Sequence, residues 1–194
     1  MSHDMIPDIE EVRREVAAAM HAHWRFFLAD GVVMMILGLA AIVVPNLASL
    51  AITIFIGWLF FVGGIFRTLT AWRRRGTPAF AWSLLTGLLA VVLGLVLIWR
   101  PLQGVVTLTL ALVLFFVIGG VAAIVIAVEF RRHLASWGWT LFSGIVDLVL
   151  AYLIWQGWPS SAGWAIGLLA GINMLFLGLS LLMTALAART LKPL

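Results

Sequence analysis

Hydrophobic positions run along this chain in six long blocks, at roughly Phe26–Val44, Leu47–Ala71, Ala81–Trp99, Val105–Val128, Trp139–Trp155 and Ala162–Ala187. Each block is close to the ~20 residues that a helix needs to cross ~30 Å of hydrocarbon. No block alternates with the period of two of a lipid-facing barrel strand. Inside a bilayer the backbone must satisfy its own hydrogen bonds, so the pattern predicts six transmembrane helices. The gaps alternate in character. Pro45-Asn46, Arg100-Pro101 and Gly157-Trp158-Pro159 read as tight turns. Arg73-Arg74-Arg75-Gly76-Thr77-Pro78 and Arg131-Arg132-His133 are longer and basic. The helices therefore come as three hairpins, each closed on one side by a proline turn.

The three hairpins repeat one another. Gly31, Gly87 and Gly144 recur at two intervals that differ by a single position, and Gly38, Gly94 or Ala151 follows each after seven. The turn prolines Pro45 and Pro101 follow the first glycine at the same distance, and Pro159 follows at one position more. Gly64, Gly120 and Gly178 stand equally far beyond their prolines, and so do Arg75, Arg131 and Arg189. All three units begin and end on the same side, so these are parallel repeats, unlike the inverted repeats of many transporters. A two-helix unit cannot fill its own interface, and three like units predict a pseudo-threefold bundle. The fold class is thus an all-α integral membrane protein of three repeated helical hairpins. Its repeats lie at about 24–78, 79–135 and 136–190, after an N-terminal segment 1–23 and before a tail 191–194.

Small residues seven apart share one helix face and let membrane helices approach closely. Gly31, Gly38, Gly64, Gly87, Gly94, Gly120, Gly144 and Gly178 are read as packing glycines within the chain. Gly163, Gly167 and Gly171 run four apart without a counterpart in the other repeats, which marks them as a candidate homo-oligomer face.

Composition agrees with the pattern. Hydrophobic residues make up 64% of the 194 residues and charged residues 10%, against about 25% charged in a soluble domain, so the natural solvent is lipid. Of 12 Lys and Arg, 11 fall on the side of the termini and the basic loops; only Arg100 falls on the other. The positive-inside rule then puts both termini in the cytoplasm. Nine of the ten tryptophans lie at span ends as an aromatic belt, leaving Trp58 deep. The net charge of +4 is explained by this membrane asymmetry and not by nucleic acid. With no cysteine there is no disulfide, Cys-ligated zinc or thiol chemistry. The segment Ile9 to His23 has apolar residues at helical spacing, and two readings stand: an amphipathic helix on the membrane surface, or a partly ordered solvated tail.

Candidate chemistry is sparse. No phosphate loop, HExxH or nucleophile elbow is present, so no catalytic residue and no cofactor is assigned. His21 and His23 form a His-x-His pair that is read as solvated and not as a metal site. The outer face has no His, Asp or Glu, hence no external titrating sensor of acid. Within the spans stand Asp30, Arg67, Asp147 and Asn173, and intramembrane polar groups are functional candidates by default. Asp147 lies near mid-membrane. It is either a proton-binding site or a neutral carboxyl bonded to a neighbouring helix, Asn173 being one partner; the second reading is preferred because one carboxylate makes a poor relay. Asp30 and Arg67 lie at matching depths on helices joined by the Pro45 turn, and two readings stand: an ion pair, or Arg67 reaching the inner headgroups alone while Asp30 bonds a neighbouring helix.

A family likeness rests on these residues. The first copy reads Trp24, Gly31, Leu37-Gly38-Leu39 and Pro45, and the second Trp82, Gly87, Leu93-Gly94-Leu95 and Pro101. Each continues into a span with a central glycine and an arginine-rich exit. Over about residues 24–190 the chain resembles the HdeD family of bacterial acid-resistance membrane proteins. The third repeat departs from it, with Ala151 for the glycine and Asp147 inside a span. The resemblance implies a non-enzymatic protein of the bacterial inner membrane, linked to acid stress. A small channel or transporter for protons or a small solute is the alternative, against which the sparse polar groups and mostly continuous spans argue.

Overall fold

The computed structural model describes residues 9–73, 75, 80–131 and 136–190, with side chains from 24 to 187 among these. The Arg74, Pro78, Arg132 and His133 positions and the tail 191–194 lie outside the described residues, as do the side chains of His21, His23 and Arg189. The described residues form six helices: α1 (Ile9–Val43), α2 (Pro45–Arg73), α3 (Phe80–Trp99), α4 (Pro101–Glu129), α5 (Trp137–Gln156) and α6 (Ala162–Thr190). All six helices are long and apolar enough to cross a membrane.

Pro45 and Pro101 each open a helix, just after the preceding helix ends. Proline suits this place, since the first helical N–H has no intrahelical partner. In the third repeat the connection is longer, running 157–161 with a cis Trp158–Pro159 bond. That accounts for the extra position between Gly144 and Pro159. The buried Ser161 hydroxyl donates to the Ile154 carbonyl at 2.6 Å, satisfying one of the open carbonyls at the end of α5. α1 has no break near residue 23, so the Ile9–His23 segment is continuous with the first span.

Two compact units make up the chain. The first pairs α1 with α6 from Leu169 onward; the second holds residues 44–168. In the second unit α2 packs extensively on α3, and α4 on α5, whereas α3 and α4 touch far less. The hairpins repeat along the chain, and the closest packing within the second unit lies between successive hairpins. The sequence repeat is a proline hairpin, but the packing unit is offset by one helix and pairs the second helix of one repeat with the first helix of the next.

Glycine dictates this offset. A Cβ at Gly64 would fall 2.9 Å from the Gly87 carbonyl oxygen, and one at Gly57 3.2 Å from the Gly94 oxygen. In the α4–α5 seam, Gly120 and Gly144 each stand 2.8 Å from the other's carbonyl oxygen by the same measure. In the first unit Gly31 and Gly178 stand at 2.9 and 2.7 Å, and Gly38 and Gly171 at 2.8 Å both ways. The backbones meet where side chains would be, which is how membrane helices associate without a hydrophobic drive. One recipe therefore serves three antiparallel seams, α2–α3, α4–α5 and α6–α1. Ala71, Ala127 and Ala185, seven positions beyond the central glycines, are buried in all three second helices. The departure is local to the α4–α5 seam: Val113 of the second repeat and Ala151 of the third, both buried, stand where the other seams use glycine.

Candidate functional site

The second unit buries its polar side chains near the proline turns. Ser49, Thr53 and Thr109 are wholly buried, and Ser161 nearly so. Thr53 and Thr109 lie eight positions beyond Pro45 and Pro101, and Gly167 lies eight beyond Pro159. Thr53 donates to the Ser49 carbonyl and Thr109 to the Val105 carbonyl, each at 2.8 Å. Their hydroxyls are thus turned back onto their own helices. The Thr53 methyl instead faces α4, 2.8 Å from where a Cβ on Gly104 would lie. Gly167 seats on Pro45, and its N–H donates to Ser49 Oγ at 2.9 Å, a buried bond between α6 and α2. These hydroxyls were not singled out from the sequence, although the common offset from the turn prolines marks them.

Each intramembrane candidate is placed within its own unit. Asp30 on α1, Arg67 on α2 and Asn173 on α6 are exposed, and Asp147 on α5 is half-buried. Asp30 and Asn173 belong to the first unit, Arg67 and Asp147 to the second. Within the second unit no ion pair links Arg67 to Asp147, and among the described residues no hydrogen bond is made by the Asp147 carboxyl. Asp147 follows Gly144 by three positions and so lies beside the α4–α5 seam. Its repeat equivalents are Met34 and Ala90, which makes the carboxyl an addition to a shared scaffold.

At the basic ends, the Arg75 guanidinium lies 3.2 Å over the Trp72 ring and Arg25 lies 5.6 Å from the Trp24 ring. Such pairs keep the charge at the edge of the apolar layer while the ring stays in it. In the first unit a cleft of about 370 Å³ is lined by Met35, Ile172, Leu175, Phe176 and Leu179, all apolar. It offers van der Waals contact and no acid, base or nucleophile. No group of three metal-binding side chains occurs among the described residues.

The glycines of the candidate oligomer face have neighbours within the chain. Gly163 would place a Cβ 2.9 Å from Asn46 Oδ1, Gly167 lies on Pro45 and Ser49, and Gly171 lies on Gly38. All three therefore pack against other helices of the same chain. The third repeat lacks the Ser49 and Thr53 side chains at these positions, and glycine lets α2 come close instead.

Six apolar helices, a threefold hairpin repeat and glycine seams define a multi-pass helical membrane protein. The family model of a short repeat of unknown function, DUF308, matches residues 29–99 and again 85–155. The chain belongs to that family. The second match is displaced from the first by the same interval that separates Gly87 from Gly31. Each match runs from the first helix of one repeat through the first helix of the next, and thus contains a whole seam, α2–α3 or α4–α5. No curated protein and no solved structure matched the chain.

Proposed function

We propose that this chain is a non-enzymatic protein of the bacterial inner membrane that contributes to survival of acid stress, in the manner suggested by its resemblance to HdeD. The observation that carries this is the DUF308 match at the repeat's own period, because HdeD proteins are built on the same repeat. Both termini are assigned to the cytoplasm, on the basis of the 11 basic residues on one side. The buried hydroxyls of Thr53 and Thr109 support a packing role, since each donates to a carbonyl of its own helix. The apolar cleft likewise supports a role through lipid or helix contact, not through turnover of a substrate.

Deleting the gene in the source bacterium tests the physiological half of this reading: survival after an acid challenge falls and is restored by the native chain. Unchanged survival would refute it. Purified protein in liposomes with an internal pH dye tests the molecular half, and no proton flux above that of empty vesicles is expected. The half-buried carboxyl of Asp147 favours a second reading, a proton pathway. Flux that Asp147→Asn abolishes would establish that reading in place of the first.

A further inference from the structure

We infer that the outward face of α6 is where two parallel copies of this chain meet, with the Asn173 amide of each bonded to its counterpart in the other. Asn173 and Ser180 each follow a seam glycine, Gly171 and Gly178, by two positions. At about 100° per residue that sets them about 200° round the helix, opposite the seam with α1. Asn173, Leu177 and Ser180 are exposed, and with Thr184 they recur at intervals of four, three and four. That is the spacing of a left-handed seam between two helices crossing at about +20°.

Four threonines show how a polar side chain can face lipid without a partner on another helix. Thr70, Thr86, Thr107 and Thr184 each donate to the carbonyl four positions back, at 2.8 to 2.9 Å, and can face lipid without an open donor. Asn173 makes no such bond, and no other hydrogen bond is made by its amide among the described residues. It lies near the middle of the Ala162–Ala187 span. An open amide there costs several kcal/mol.

A second copy fits this face best. An amide both donates and accepts, so two identical amides satisfy one another. Copies of one chain share an orientation in the membrane, so a twofold axis along the normal brings the same residues to the same depth. Leu177, Ser180 and Thr184 are uncharged, and nothing on the face selects an ionic partner. The same repeat positions on α2 and α4 hold Leu59 and Phe115, so the amide has no part in the packing common to the three repeats.

The chain has no cysteine, so single-cysteine crosslinking reads this directly. In liposomes, Leu177→Cys and Ser180→Cys, which keep the Asn173 amide, are expected to form disulfide-linked dimers on oxidation, while Leu59→Cys and Phe115→Cys stay monomeric. Absence of dimer at both α6 sites, or equal yields at all four, would overturn the proposal. Energy transfer between labelled full-length chains, measured against lipid dilution, supplies the second reading. Asn173→Leu weakens association about five- to thirtyfold, the range for one to two kcal/mol of interhelical hydrogen bonding, and Asn173→Gln retains most of it. A monomeric native chain, or Asn173→Leu associating as the native chain does, would refute it.

Discussion

Adjacent glycines on α2 should respond to the same substitution with opposite sign. Gly63 is exposed, and a Cβ there meets nothing within 4 Å. Gly63→Ala therefore adds only helix propensity, worth up to about 1 kcal/mol. A Cβ at Gly64 falls 2.7 Å from the Val91 backbone nitrogen and 2.9 Å from the Gly87 carbonyl oxygen. Backbone atoms cannot rotate away, so α2 and α3 must part by roughly half an ångström, and gaps of that size forfeit a quarter or more of each contact's well depth. Overpacking of this kind costs about 1–3 kcal/mol, which outweighs the propensity gain. Gly64→Ala is expected to be destabilising by about 1–2 kcal/mol and Gly63→Ala stabilising by about 0.5–1 kcal/mol. Thermal unfolding in a mild detergent reads the difference, with each kcal/mol moving the midpoint about 2–4 °C. Gly119 and Gly120 on α4 repeat the experiment, since Gly119 is open and Gly120 faces Gly144. A shift of both members of a pair in the same direction, or a midpoint raised by Gly64→Ala and Gly120→Ala, would refute steric exclusion at the seams.

Other expectations follow from the turns and the core. Removing the α6–α2 hydrogen bond with Ser49→Ala should cost about 1 kcal/mol, because the Gly167 N–H loses a buried acceptor; an unchanged unfolding midpoint would count against that bond. Ala127 is wholly buried in its seam, so Ala127→Leu should lower the midpoint by several degrees while Leu substitution at the exposed Ala122 leaves it unchanged. Topology reporters fused after Arg75, Arg132 and Lys192 should read cytoplasmic, and those at Asn46, Gln103 and Ser160 external; one reporter on the wrong side would break the six-span arrangement.

Hydropathy alone was enough for the number of apolar helices, because every backbone group in lipid must be satisfied within its own helix and only apolar blocks of ~20 residues can do so. The repeat was equally legible, since glycine spacing and turn prolines are properties of the string, and the family match recovers the same offset between units. Partner choice was not legible. A glycine at Gly64 marks a close approach but not which helix approaches, and the partner found lies across the basic loop. The run Gly163, Gly167, Gly171 shows the same gap, because small residues serve any close neighbour and only the packed chain reveals that Asn46, Ser49 and Gly38 are those neighbours. The Thr53 and Thr109 hydroxyls likewise read as polar letters until the helix supplied a carbonyl four positions back, and the outward placement of Asn173 became visible only once α1 had taken the opposite side of α6. Spans are decided by local transfer into lipid, whereas seams are decided by which surfaces exclude each other's side chains, a property of helix pairs that one helix does not encode.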